Sequence, residues 1–109
     1  MLRAGDLRNR ITIERPVEVR GDSGSVVKDW QPIPYATVWS ARTDLSGAEL
    51  YQAQQINARV STRFTIRHRN GLDARMRVIS DGVPYAIESV QDPEGRREFL
   101  VLLCSRSSN

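Results

Sequence analysis

The chain contains one cysteine and one histidine. Disulfide frameworks need paired cysteines and a Cys/His zinc site needs about four ligands, so a single copy builds neither. Long apolar runs are also missing. The longest, Phe99 to Cys104, has six residues, against roughly 20 for a membrane helix. The opening MLRAGDLRNR lacks the apolar centre of a secretory signal. These absences point to an intracellular, soluble, reduced protein without a membrane partner. The seven glycines form neither GxGxxG nor GxxxxGK, so no phosphate cradle is expected. Lysine is nearly absent: fifteen of the sixteen basic residues are arginine, Lys28 being the exception. The net charge of +3 is too small to imply nucleic-acid binding by itself. Arginine does suit buried and interfacial ion pairs better than lysine.

What is present is a modest core in a chain of single-domain length, 109 residues with 39% hydrophobic. Period-two alternation recurs. Leu7, Ile11 and Ile13 share one face of a strand over Leu7 to Arg15, which Pro16 is expected to end. Arg20-Gly21-Asp22-Ser23-Gly24 reads as a connecting loop. Val26 to Gln31 is a second strand, Pro32 and Pro34 interrupt pairing, and Tyr35 to Arg42 is a third. Ser46-Gly47-Ala48-Glu49 spells a capping box, flanked by Leu45 and Leu50 as a hydrophobic staple. It predicts a helix over about 46–57, with Leu50, Ala53 and Ile56 inward and Asn57 as its stop. Ala58 to Arg69 reads as the longest strand. Asp81-Gly82 predicts a type I′ hairpin pairing Ser80 with Val83, Val78 with Tyr85 and Arg75 with Glu88. Asp92-Pro93-Glu94-Gly95 predicts a further turn, and Arg97 to Cys104 a central strand. The domain is expected to span 1–104, with 105–109 a loose tail. The fold class is mainly β: a small antiparallel barrel or sandwich of six or seven strands with one inserted helix.

Candidate chemistry is thin. His68 and Cys104 are the only nucleophile–base candidates, and nothing in their placement asks for a dyad, so a packed histidine and a small buried thiol are expected. The carboxylates fall in turns, at the helix start or opposite arginine, with no metal-binding spacing. No catalytic, cofactor-binding or metal-binding residue is expected. The one charge feature with geometry is a stripe of Arg59, Arg63, Arg67 and Arg69 along the outer face of one strand. It reads as a solvated face, an Arg-rich subunit interface or a surface facing nucleic acid. Aromatic residues do not interleave with it, which weakens a single-strand-binding reading.

The blocks LRNRITIERP, ATVWSAR, LSGAELYQAQQINARV, TRFTIRHRNGL and MRVISDGVPYAIESVQDPEGRREFLVLLC, in this order, resemble the head–tail joining proteins of tailed bacteriophages, also called head-closure or stopper proteins. The resemblance runs from about Leu2 to Cys104, and Gln31 to Tyr35 departs from it by being rich in proline. It implies a small β-barrel with a helix inserted between strands, and a structural rather than enzymatic role. It implies a self-associated ring, dodecameric in the particle and monomeric in isolation. Portal and adaptor proteins would lie above, tail proteins below, and packaged DNA would pass without sequence-specific contact. It implies a place in the neck of a virion assembled in the bacterial cytoplasm, from a phage, prophage or gene transfer agent. Tyr51, Gln52 and Gln55 on the helix and the arginine stripe are then candidate interface or channel-facing residues. Arg20, Gly21, Asp22, Ser23 and Gly24 are a candidate channel loop. The alternative is a small nucleic-acid-binding β-barrel.

Overall fold

The computed structural model describes residues 4–21 and 24–106. After a 3₁₀ turn at Ala4–Asp6 the elements are β1 (Asn9–Arg20), β2 (Val26–Asp44), α1 (Gly47–Ile56), β3 (Thr62–Arg67), β4 (Arg77–Ser80), β5 (Val83–Gln91) and β6 (Phe99–Arg106). Every pairing is antiparallel. The strands close into a barrel in the order β1-β2-β3-β6-β5-β4, so the expected barrel with one inserted helix is what forms. Ile11, Ile13, Phe64, Ile66, Val78, Tyr85, Ile87, Leu100, Leu102 and Cys104 fill its interior. The Phe64 and Tyr85 rings meet edge to face at 5.2 Å.

Hairpin chemistry follows local sequence closely. Asp81 and Gly82 both take positive φ, 51° and 78°, as a type I′ turn requires. Ser80 faces Val83 and Val78 faces Tyr85. The ladder stops at Arg77 and Ala86, however, so Arg75 and Glu88 do not pair across it. Arg75 turns instead to Asp73 at 3.0 Å, while Glu88 accepts from Asn57 at 2.9 Å and Ser105 at 2.7 Å. The Asp92–Gly95 turn closes with a backbone bond of 3.2 Å.

Four expectations about strand extent are corrected. Pro16 does not end β1: it faces Trp30 inside the β1–β2 pairing. Nor do Pro32 and Pro34 divide two strands. They lie in one 19-residue strand, β2, which is therefore the longest. The reason is the edge position. β1 pairs with β4 only from Ile11 to Glu14, and β2 pairs with β3 only from Ser40 to Asp44. Beyond those points the two strands form a ribbon with open outer edges, where a missing N–H is tolerated. The prolines instead produce a bulge. Between Thr12 and Glu14 on β1, the partner on β2 advances from Thr37 to Pro32, and Tyr35 sits there with φ of 53°. Third, β3 is six residues, not twelve: Ala58 to Ser61 turn toward it and His68 and Arg69 follow it. Fourth, the last strand runs past Cys104, after which the tail was expected to begin. Ser105 and Arg106 pair with Ala86 and Tyr85, and Ser105 is buried. Residues 107–109 lie outside the described residues.

The helix forms where predicted, but its start is built differently. The Ser46 hydroxyl makes no capping hydrogen bond. Gly47 enters the helix with φ of 57°, and Glu49 pairs with Arg63 of β3 rather than reaching back to Ser46. Leu45, Leu50, Ala53, Val60, Leu103 and Val101 make a second cluster beneath the helix. Ile56 is not part of it and is 73% exposed. At 3.6 residues per turn Ile56 lies roughly 120° from Leu50, too far round to share its face. Because α1 covers Leu103 and Val101 while Leu100, Leu102 and Cys104 face the interior, β6 is buried on both sides. That explains its continuous apolar run.

Ser46→Ala is expected to cost well under the ~1 kcal/mol that a hydrogen-bonded cap loses. Glu49→Ala should cost about 0.5 kcal/mol through Arg63. Urea denaturation of both variants checks the order.

Candidate assembly surfaces

Among the described residues no group of His, Cys, Asp and Glu is arranged to hold a metal ion. His68 follows the end of β3, whereas Cys104 faces Thr62 at the strand's start. Six strand positions, about 20 Å, separate the two. Cys104 is fully buried. Burial pushes its thiol well above the usual range, and the Glu88 charge adds to the shift. The thiol is therefore neutral, and His68 is not within reach of it.

The arginine stripe does not persist as a stripe, because β3 is too short to carry it. Arg59 lies in the turn after α1, its backbone N–H bonded to the Asn57 side chain at 2.9 Å. Arg63 is half-buried and paired with Glu49. Arg67 is exposed at the end of β3. Arg69 reaches back to β2, donating to the carbonyls of Tyr35 at 2.7 Å and Pro34 at 2.9 Å. It clamps the bulge that the prolines create. Two of the four arginines are thus spent on internal structure.

That clamp shapes a groove at one end of the barrel, lined by Leu7, Tyr35, Val38, Trp39, Arg67 and Arg69 among others. Tyr35 is 92% exposed and Trp39 is 53% exposed. The Arg10 guanidinium lies over the Trp39 ring at 5.3 Å. Trp, Tyr and Arg are the residue types that dominate binding energy at protein interfaces. The aromatic residues that the β3 pattern lacks are brought to its arginines by the bulge. A one-dimensional reading of β3 does not find them, because they belong to β2.

A second exposed set lies on α1. Tyr51, Gln52, Gln55 and Ile56 all face away from the barrel. The first three are legible in the sequence as an outer face. Ile56 is not, if every apolar helix residue is assigned inward, although its angular position on the helix identifies it. A third surface is the ribbon. Its seven pairs from Glu14–Pro32 to Arg20–Val26 project beyond the barrel and account for a long axis of 51 Å against 29 and 26 Å. Its root is held by Arg77, which donates to Glu14 at 2.7 Å and lies 4.4 Å over the Trp30 ring. At the tip, Gly21 bonds Ser25 at 2.8 Å and Gly24 bonds back to Gly21 at 2.9 Å. Asp22 and Ser23, the rest of the candidate channel loop, lie outside the described residues.

A closed barrel with an arm and two exposed aromatic surfaces has the features of a structural building block. The chain belongs to the phage head completion protein family, whose model matches residues 2–107. It is a structural head–tail component and its place is the virion. Its fold is similar to the solution structure of protein SF1141 from Shigella flexneri 2a, at 24% identity and a TM-score of 0.74, covering 99% of each chain. It is also similar to a chain of the virion of a native gene transfer agent particle, at 16% identity and a TM-score of 0.58, covering 92% of this chain and 94% of that one. No curated protein sequence matches the chain.

Two measurements check this geometry. Cys104 is expected to resist thiol reagents in the folded protein and to react fully in urea. Its raised pKa also fixes a sign. The unfolded thiol ionises near pH ~8.5, so its contribution to stability is complete below that pH and declines as pH rises past it. Arg77→Met should lower stability by about 1–3 kcal/mol by urea denaturation, because it leaves the half-buried Glu14 carboxylate unpaired.

Proposed function

We propose that copies of this chain form a ring in the neck of a tailed phage, prophage or gene transfer agent particle, beneath the portal and its adaptor. The ring closes the DNA-filled head and gives the tail its docking platform. The observation that carries the reading is the family match over residues 2–107. The fold shared with a chain of a gene transfer agent virion supports it. A ring of twelve fits the family resemblance. A protomer in such a ring needs two different surfaces, one for each neighbour. The groove at Tyr35 and Trp39 and the outer face of α1 supply two. The ribbon, with Arg20, Gly21 and Gly24 at its tip, is the element proposed to reach the channel through which DNA passes. No chemistry is asked of the protein, so its role is mechanical closure and docking. In isolation the chain is expected to be monomeric, with the portal–adaptor assembly as template.

One observation keeps a second reading in view. Tyr35 and Trp39 stand beside Arg67 and Arg69, the pairing of stacking surfaces and cations that single-strand binding uses. In that reading, Trp39 fluorescence in a Trp30→Phe background responds to oligothymidylate, and the response weakens steeply with salt. Against it, the Arg69 guanidinium is committed to two carbonyls and one face of Trp39 is covered by Arg10.

The deciding experiment is genetic. Particles assembled without this protein should lose packaged DNA or fail to acquire tails, seen as empty or tailless heads by electron microscopy. Full, tailed, infectious or transducing particles from a clean deletion would sink the proposal.

A further inference from the structure

We infer that the ring contact is made by the outer face of α1 of one copy lying in the Tyr35–Trp39 groove of the next. This inference rests on the ring reading above and names its interface. Six large hydrophobic residues are exposed among the described ones: Val19, Val26, Tyr35, Trp39, Tyr51 and Ile56. They fall into three sets, and the first two residues belong to the projecting ribbon. The other two sets lie toward opposite ends of the same strands. Tyr35 and Trp39 precede the point where β2 joins β3, and Arg67 ends β3. The helix is tied to the other end, where Asp44 faces Thr62. About 17 Å of strand lies between the two ends. One patch at each end is the arrangement a head-to-tail contact needs if it is to close by rotation.

Shape and charge agree. The groove is concave, and its charged lining residues are Arg67 and Arg69, with Arg10 stacked on Trp39. The helix is convex and carries one charged side chain, Glu49, with no basic residue in its last turn. An outer face without cations suits an arginine-rimmed aromatic groove. Gln52 and Gln55 bring amide oxygens for the exposed Arg67 guanidinium, and Tyr51 and Ile56 bring apolar surface for the rings. This is helix-in-groove recognition, with the anchors on both partners already exposed.

The lone native cysteine makes the test clean, because Cys104 is fully buried. In particles carrying both Tyr35→Cys and Tyr51→Cys, a short bis-maleimide should join copies into a ladder of dimers, trimers and higher species. Each single variant should give no ladder, since its introduced thiol meets no second one. The pair Trp39→Cys and Ile56→Cys repeats the test should the first fail to assemble. A neck that keeps its ring but yields no ladder from either pair overturns the contact and leaves the ring reading standing. Dimers from a single variant would also overturn it, because they report a symmetric contact. If added oligothymidylate blocks maleimide labelling of the Tyr35→Cys variant, the groove is assigned to nucleic acid instead. A neck without multiple copies of the chain would remove both the contact and the ring.

Discussion

The seam between β1 and β4 is the constraint on which the rest of the structure depends. It is only four residue pairs long, Ile11 to Glu14 against Arg77 to Ser80, yet it turns an open sheet into a barrel. Closure removes two open edges and encloses Ile11, Ile13 and Val78, each almost wholly inaccessible to water. The seam ends at an ion pair rather than an apolar contact. Glu14 and Arg77 are about one-fifth exposed and 2.7 Å apart. Beyond this point β1 loses its second partner and continues as an arm. Arg77 then holds the arm as well, by stacking on Trp30.

The arginines show how one residue type serves several purposes. Arg77 secures the seam and the arm, Arg63 ties α1 to β3 through Glu49, and Arg69 secures the bulge in β2. Arg42 lies over the Tyr85 ring at 5.3 Å. A guanidinium offers several donors in a plane and stacks on aromatic faces, so it can bind a carbonyl, a carboxylate and a ring with similar ease. Four of the sixteen basic residues are thus internal scaffolding.

A small barrel in an assembly has to be stable alone and incomplete outside. Here the two demands are met by different faces. The interior and the cluster under α1 take nearly all the buried apolar side chains. The exposed ones gather on the ribbon, at the groove and on the helix. A two-stranded ribbon with open edges is weak by itself. Anchored at its root, it reaches away from the barrel.

Local chemistry made much of this legible in the residues themselves. The Asp81-Gly82 turn, the position of the helix between Leu45 and Asn57, and the apolar strand at the C-terminal end were each marked in the local sequence. The match of successive blocks to head–tail joining proteins was also present in the linear order. What tertiary structure alone decided are the places where a residue's partner lies far along the chain. Pro16 and Pro32 are tolerated because the β1–β2 ribbon has free edges, which no local pattern states. Glu49 leaves the capping box because Arg63 lies within reach. Ser105 is ordered because β5 pairs with β6 as far as Arg106. The arginine stripe is dispersed by the short length of β3, and the groove is formed by a bulge in another strand. Turn and helix propensities act over a few residues and are written in the sequence. Register, edges and surfaces are properties of the closed sheet, and they exist only once it has closed.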